Sequence, residues 1–269
     1  GSNATLTLTD VTATAGNTGS SMIDNWGTMT ITSGTYSGGL NVVKSEEGST
    51  LNISGGKFTL SYATDGYTGV IFAYGTTTIS GGEFIQALTT TGRWAHPQVI
   101  LTGVVDGYTA ITKVTGGNFV NKSEESIFRG VGKATSDNFE VSGGTFNKYV
   151  SDSYFKTGYI PVKNADGTYG VKEGKFVAEV GSTGYETFDE AIAAANASTK
   201  SKTIYLRENV TVDHQIVIKN THGKNITLNL EGFTLTSTYA INTSIKNGSY
   251  ALVNNTPLTI KNGTFAAGQ

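Results

Sequence analysis

The chain has 269 residues, a net charge of −2, only 15% charged residues and no basic stripe, which argues against nucleic acid and anionic membrane surfaces as partners. It has no cysteine, which excludes disulfides, zinc–thiolate sites and thiol catalysis together, and no apolar run of membrane-spanning length. A hydrophobic content of 37%, only 3 Pro and as many as 35 Gly describe a folded chain built from short strands and corners.

Residues 1–3 belong to Gly1-Ser2-Asn3-Ala4, which reads as the scar of a cleaved expression tag. Residues 5–13 form a degenerate first copy of a phrase that then occurs six times: an aliphatic residue, Ser, Thr or Lys, a glycine-containing pair, one variable residue and an aromatic. Its aliphatic and aromatic ends are Ile31 and Tyr36, Ile53 and Phe58, Ile79 and Phe84, Val114 and Phe119, Val141 and Phe146, and Ile260 and Phe265. The first five aromatics are separated by 22, 26, 35 and 27 residues, while the distance within each phrase is always five. A constant phrase between variable inserts is the mark of one short unit stacked many times.

The phrase reads as strand, tight corner, strand. Apolar residues before the corner alternate with Thr or Asn, as in Met29 and Ile31 or Leu51 and Ile53, which places them on one face. The glycine pair predicts a corner with positive φ. A three-strand coil of this size predicts an all-β, parallel β-helix, whose stacked Ile, Val and Phe form interior ladders. A leucine-rich horseshoe would need recurrent Leu and helical segments, and a β-sandwich would not repeat one corner with constant spacing.

After Phe146 the phrase stops. The segments 159–163 and 168–172, joined by Asn164-Ala165-Asp166-Gly167, predict a hairpin that covers the last coil. A strand follows at 176–180, and then one short capping helix at 187–197. There Thr187 and Glu190 form a capping box, and Phe188, Ile192 and Ala195 share a face. Strands are predicted at 203–206, 210–212, 215–218 and 226–230, before the phrase returns at 260–265. The order of parts is therefore middle coils, end cap, start cap, opening coils. It divides the chain into 4–172, the C-terminal coils and end cap of one β-helix, and 173–269, the capping helix and opening coils of a second. The raw coils at 258–265 and 5–12 match in pattern. They are expected to stack, within one chain over residues 4–20 or head to tail between chains.

The Ile-Ser-Gly-Gly-x-Phe phrases resemble the right-handed parallel β-helix repeats of bacterial cell-surface proteins, within the pectate-lyase-like superfamily. Asp166-Gly167-Thr168-Tyr169-Gly170-Val171 resembles a module ending in these proteins. Tyr185-Glu186-Thr187-Phe188-Asp189-Glu190-Ala191-Ile192 resembles a module opening. The resemblance implies an extracellular, bacterial cell-surface setting and a right-handed coil. It leaves activity open, because the superfamily holds lyases, hydrolases, adhesins and passive stalks.

No catalytic constellation stands out, and no cofactor is implied. The acidic pairs Glu46-Glu47 and Glu124-Glu125 read as solvated loops. His96, His214 and His222 show neither metal spacing nor a triad. Asp65 and Asp106 share the phrase Asp-Gly-Tyr-Thr and are weak candidates to share a cation if they stack. The Asn-x-Ser/Thr sequons, at Asn52, Asn121, Asn196, Asn209, Asn225, Asn242, Asn247, Asn254 and Asn262, are expected by composition and better suited to stacked Asn ladders. The longest insert, between Phe84 and Phe119, carries Arg93, Trp94, His96 and Tyr108, and is expected to meet Tyr67 and Tyr74 of the preceding coil. Aromatic faces stack on sugars, and Arg holds carboxylates. Trp26 has the same character. The sequence thus points to a non-catalytic structural or adhesive module with a glycan or surface protein as partner. The alternative is a fragment of a polysaccharide lyase or glycoside hydrolase acting on one solenoid face.

Overall fold

The computed structural model describes residues 3–16, 19–181, 183–239 and 250–267, and these form two compact units, Gly1–Glu173 and Gly174–Gln269. The described residues are mostly β, with one α-helix. The sequons at Asn242 and Asn247, and Gly1 and Ser2 of the tag remnant, lie outside them.

In the first unit, successive strands enter three sheets in rotation. One is six-stranded: β1 (Thr5–Leu8), β4 (Thr28–Ile31), β7 (Thr50–Ile53), β10 (Thr76–Ile79), β13 (Ile111–Val114) and β16 (Phe139–Val141). The second contains β2 (Val11–Thr14), β5 (Gly34–Ser37), β8 (Lys57–Leu60), β11 (Glu83–Gln86), β14 (Asn118–Asn121) and β17 (Thr145–Phe146). The third contains β3 (Ile23–Asn25), β6 (Val43–Ser45), β9 (Gly66–Ala73), β12 (Ala95–Val104) and β15 (Phe128–Gly132). Each strand from β1 to β14 pairs in parallel with the strand three places on. One circuit of three strands is thus a rung, and the rungs stack.

Because every rung repeats the register of the one before, equivalent side chains fall one strand spacing apart, about 4.8 Å. Ile31, Ile53, Ile79, Val114 and Val141 form one such column. Tyr36, Phe58, Phe84, Phe119 and Phe146 form another, with successive ring centroids 4.9, 4.9, 5.0 and 5.3 Å apart. All of these side chains are buried. In the four corners that carry a glycine pair, before Phe58, Phe84, Phe119 and Phe146, the two glycines serve different needs. Gly82 has φ +108°, which L side chains rarely adopt. A Cβ on Gly81 would stand 2.3 Å from the carbonyl oxygen of Ser54 in the rung below. Outside, the same stacking aligns Lys57 with Glu83 at 2.9 Å and Lys113 with Glu140 at 3.2 Å, exposed pairs that contribute little to stability.

Buried asparagines staple the corners. Asn121, the acceptor position of a sequon, is fully buried. Its amide donates to the carbonyls of Pro97 and Ser126 at 3.0 and 2.9 Å, and its oxygen accepts from the Ser123 backbone N–H at 3.0 Å. The far end of the unit is closed by β18 (Tyr159–Lys163) and β19 (Tyr169–Glu173), an antiparallel hairpin whose β19 pairs with β17 through Phe146 and Tyr169. Covering the last edge in this way protects unpaired backbone groups.

In the second unit, β20 (Ala178–Val180) pairs antiparallel with β21 (Thr183–Tyr185) and with β22 (Lys202–Leu206). The helix α1 (Phe188–Ala197) buries Phe188, Ala191, Ile192 and Ala195 against these strands. Thr187 precedes it as N-cap, with the Glu190 N–H donating to its hydroxyl at 3.3 Å and its own N–H donating to the Glu190 carboxylate at 3.1 Å. Parallel pairing then resumes, with β22, β25 (Ile226–Asn229) and β28 (Leu258–Lys261) in one sheet. The second sheet holds β23 (Val210–Val212), β26 (Thr234–Ser237) and β29 (Thr264–Ala267), and β24 (Ile216–Ile218) pairs with β27 (Leu252–Asn254).

The sixth copy of the phrase departs from the expectation in two ways. Ile260 is 37% exposed and Phe265 is only half-buried, because among the described residues no rung follows theirs. The positive φ falls on Asn262, at 58°, and not on Gly263.

Candidate functional site

The polar side chains that converge best lie on the third sheet, where β9, β12 and β15 run side by side. Register places His96 opposite Tyr67, and their ring centroids are 5.5 Å apart. His96 Nδ1 lies 2.8 Å from Oε1 of Glu125, in the segment leading into β15. The Gln98 amide donates to the other Glu125 oxygen at 2.8 Å. Arg129 reaches the same oxygen at 3.8 Å, and its Nη2 donates to the Tyr67 hydroxyl at 3.0 Å. The guanidinium also stacks over the Tyr67 ring, 4.7 Å from the centroid. Lys148 donates to the backbone carbonyls of Ser123 and, at 3.0 Å, Glu125, which fixes the segment that carries the carboxylate. Trp94 is 60% exposed, with the Arg93 guanidinium 4.9 Å from its ring centroid. Its carbonyl accepts from the Gly66 N–H at 2.7 Å, which locks it to the start of β9.

Along the same sheet runs a groove of about 570 Å³. Asp24, Asn41, Lys44, Tyr67, Phe72 and Tyr74 help to line it. Phe72 stacks on Tyr74 at 4.6 Å, and the Lys44 ammonium lies 5.4 Å from the Tyr74 centroid. Lys44 is ion-paired with Glu46. Burial and the neighbouring Asp24 push the Glu46 carboxyl above its ordinary value, against the pull of Lys44. Burial draws Lys44 down, yet the bond to Glu46 outweighs it and the ammonium sits above its usual range. At the near end, the Trp26 indole donates to Asp24 at 3.0 Å.

The six binding candidates from the sequence therefore divide. Tyr67, Arg93, Trp94 and His96 gather where β9 and β12 begin. Tyr74 follows β9 at its other end, over Gly103, and Tyr108 follows β12, beside Gly48. The stacking of Asp65 on Asp106 does not occur. Ala95 pairs with Gly66, so Asp65 lies level with Trp94, whereas Asp106 follows Val104 at the far end of β12 and pairs with Lys133 at 2.5 Å. Among the described residues no group of three His, Cys, Asp or Glu side chains could hold a metal. The acidic pairs are not simply solvated loops either, since Glu46 is buried and Glu125 organises three neighbours. Gln98 and Arg129 escaped the sequence reading, and Glu125 was read there only as part of a solvated loop, because the third strand of each rung carries no constant phrase; Lys148, just beyond β17, escaped it too. Register is the only signal that aligns 67, 96 and 125.

In the second unit, His214 bonds to Asp189 at 2.9 Å and to Asp213 at 3.3 Å. These carboxylates raise its pKa above the ordinary imidazole value. No family model, curated protein or solved structure matches the chain. No helix among the described residues is long and apolar enough to cross a membrane.

Proposed function

We propose that this is a non-catalytic module of a bacterial cell-surface protein: right-handed parallel β-helix segments of the pectate-lyase-like kind that space, display and bind. The partner is a glycan carrying acidic groups, held on the third sheet of the first unit. The observation that carries the reading is two aromatic–guanidinium stacks where β9 and β12 begin: the exposed Trp94 under Arg93, and Tyr67 under Arg129. Flat rings on a rigid scaffold stack on sugar faces, and guanidinium groups take carboxylates or sulfates in two-pronged hydrogen bonds. The stacked rungs supply the rigidity, so binding costs little ordering entropy.

A second reading, a polysaccharide lyase or glycoside hydrolase fragment, is favoured by one observation: Glu125, His96, Arg129 and Tyr67 come from neighbouring strands and touch. A glycan array run beside lyase and hydrolase assays on acidic polysaccharides separates the two. Binding without turnover, weakened at least tenfold by Trp94→Ala and by Arg129→Gln, is the expected result. Turnover of any glycan overturns the non-catalytic reading, and binding unchanged by Trp94→Ala removes the site.

A further inference from the structure

The groove on the third sheet and the cluster around Arg129 meet at one ring. Register sets Asp24 of β3 opposite Lys44 of β6, Lys44 opposite Phe72 of β9, Phe72 opposite Leu101 of β12, and Leu101 opposite Arg129 of β15. The Arg129 side chain reaches back along this row. Its guanidinium lies 4.7 Å from the Tyr67 centroid and donates to the Tyr67 hydroxyl. Tyr67 also helps to line the groove, so the charge of Arg129 stands at the groove's rim. Asp24 is two strands away from β9, about 10 Å, and the groove holds about 570 Å³. A glycan with its acidic group on Arg129 therefore extends its next sugars into the groove.

The two ends differ in charge. At the rim, the guanidinium groups of Arg93 and Arg129 stand against one carboxylate, Glu125, which His96 and Gln98 also bond. Inside the groove, Lys44 is the one cation among the described lining residues. It is already committed, ion-paired with the buried Glu46 and 5.4 Å from the Tyr74 centroid. Asp24 adds a second carboxylate, whose Oδ2 accepts from the Trp26 indole at 3.0 Å. A sugar carboxylate carried to this end meets Asp24 and Glu46 with no spare cation to balance it, and like charges set together disfavour a partner. An uncharged sugar meets no such penalty. Its hydroxyls can donate to Asp24, and its faces can pack on Tyr67 and on Tyr74, which Phe72 backs at 4.6 Å. The wall is braced by the buried Asn41, whose Oδ1 accepts from the Gly69 N–H at 2.8 Å while its amide donates to Ser21 at 3.1 Å.

We infer that the groove lined by Asp24, Lys44, Tyr67 and Tyr74 is a subsite for uncharged sugar, so that the ligand is a mixed glycan, an acidic sugar carried on uncharged ones, and not a run of uronic acids. This specificity rests on the glycan reading above and extends it.

Calorimetric titration of the whole chain with short oligosaccharides tests it. Both linkage isomers of sialyllactose and an aldotriouronic acid, each with one acidic sugar on two uncharged ones, are set against trigalacturonate, in which every sugar is acidic. The best mixed ligand is expected to bind about tenfold more tightly than trigalacturonate. Asp24→Lys places a cation in the groove and should erase that preference, chiefly by tightening trigalacturonate. Tyr74→Ala should weaken the mixed ligand about tenfold and leave trigalacturonate unchanged. Circular dichroism melting curves like that of the wild type show that both variants fold. Trigalacturonate binding as tightly as every mixed ligand overturns the inference, and so does a preference that neither substitution moves. If binding in those cases is still lost in Trp94→Ala and Arg129→Gln, the glycan reading stands without the groove. If none of these oligosaccharides binds, both fall.

Discussion

Truncating the middle of the aromatic column is the most direct test of the stacked interior. Phe84 is fully buried between Phe58 and Phe119, at centroid distances of 4.9 and 5.0 Å. Phe84→Ala removes the ring but not its neighbours, each of which is held by its own rung. The cavity cannot collapse well, so the loss belongs in the upper half of the usual range for such a truncation, about 4–5 kcal/mol. Both tryptophans of the chain, Trp26 and Trp94, lie in the first unit, so tryptophan fluorescence during urea unfolding reports on that unit alone. A double-mutant cycle with Phe58→Ala should return a coupling of about 0.5–1.5 kcal/mol, as expected for one stacked pair. A loss below about 1.5 kcal/mol for Phe84→Ala, or no coupling to Phe58, would mean that these rings do not form a packed column.

The remaining predictions concern the corners and one titration. Gly81→Ala reverses the usual benefit of replacing a glycine, because its Cβ would press on the Ser54 carbonyl oxygen at 2.3 Å. A cost of about 2–3 kcal/mol is expected in the same urea assay, whereas Gly107→Ala, at φ +87° with open space around it, should cost only about 1 kcal/mol. Equal costs at the two sites would refute the steric account. His214 should titrate above 6.5 by NMR, since Asp189 and then Asp213 stabilise its charged form, and Asp189→Asn should bring the midpoint down. Because the folded pKa is raised, this contribution is fully present below the unfolded value near 6.5. It fades as pH rises through the raised folded midpoint, so the second unit should lose a little stability as pH rises above the ordinary imidazole value. A midpoint at or below the ordinary value would remove the pairing.

The recurring phrase, the hairpin before Glu173 and the capping box at Thr187 were all legible in the sequence. Each depends on contacts within a few residues: alternation along a strand, a glycine at a corner, an N-cap and its N3 partner. Parallel stacking was legible too, because a phrase with constant internal spacing can bury its apolar face only against copies of itself. The functional surface depends on something else. Tyr67 and His96 meet only because β9 and β12 pair in one particular register, and Glu125 joins them from a segment 29 residues beyond His96. No local pattern encodes that offset, since the inserts between rungs vary in length and the third strand repeats no phrase. The same offset decides that Asp65 and Asp106 lie apart. Whether a corner puts positive φ on its second or third residue was likewise hidden, since Asp10, Asn262 and the glycine pairs all accept it, and the packing of one rung on the next makes the choice. Local chemistry in the sequence determined the unit and its repetition. The register between units, a long-range property of the stacked backbone, decided which side chains became neighbours.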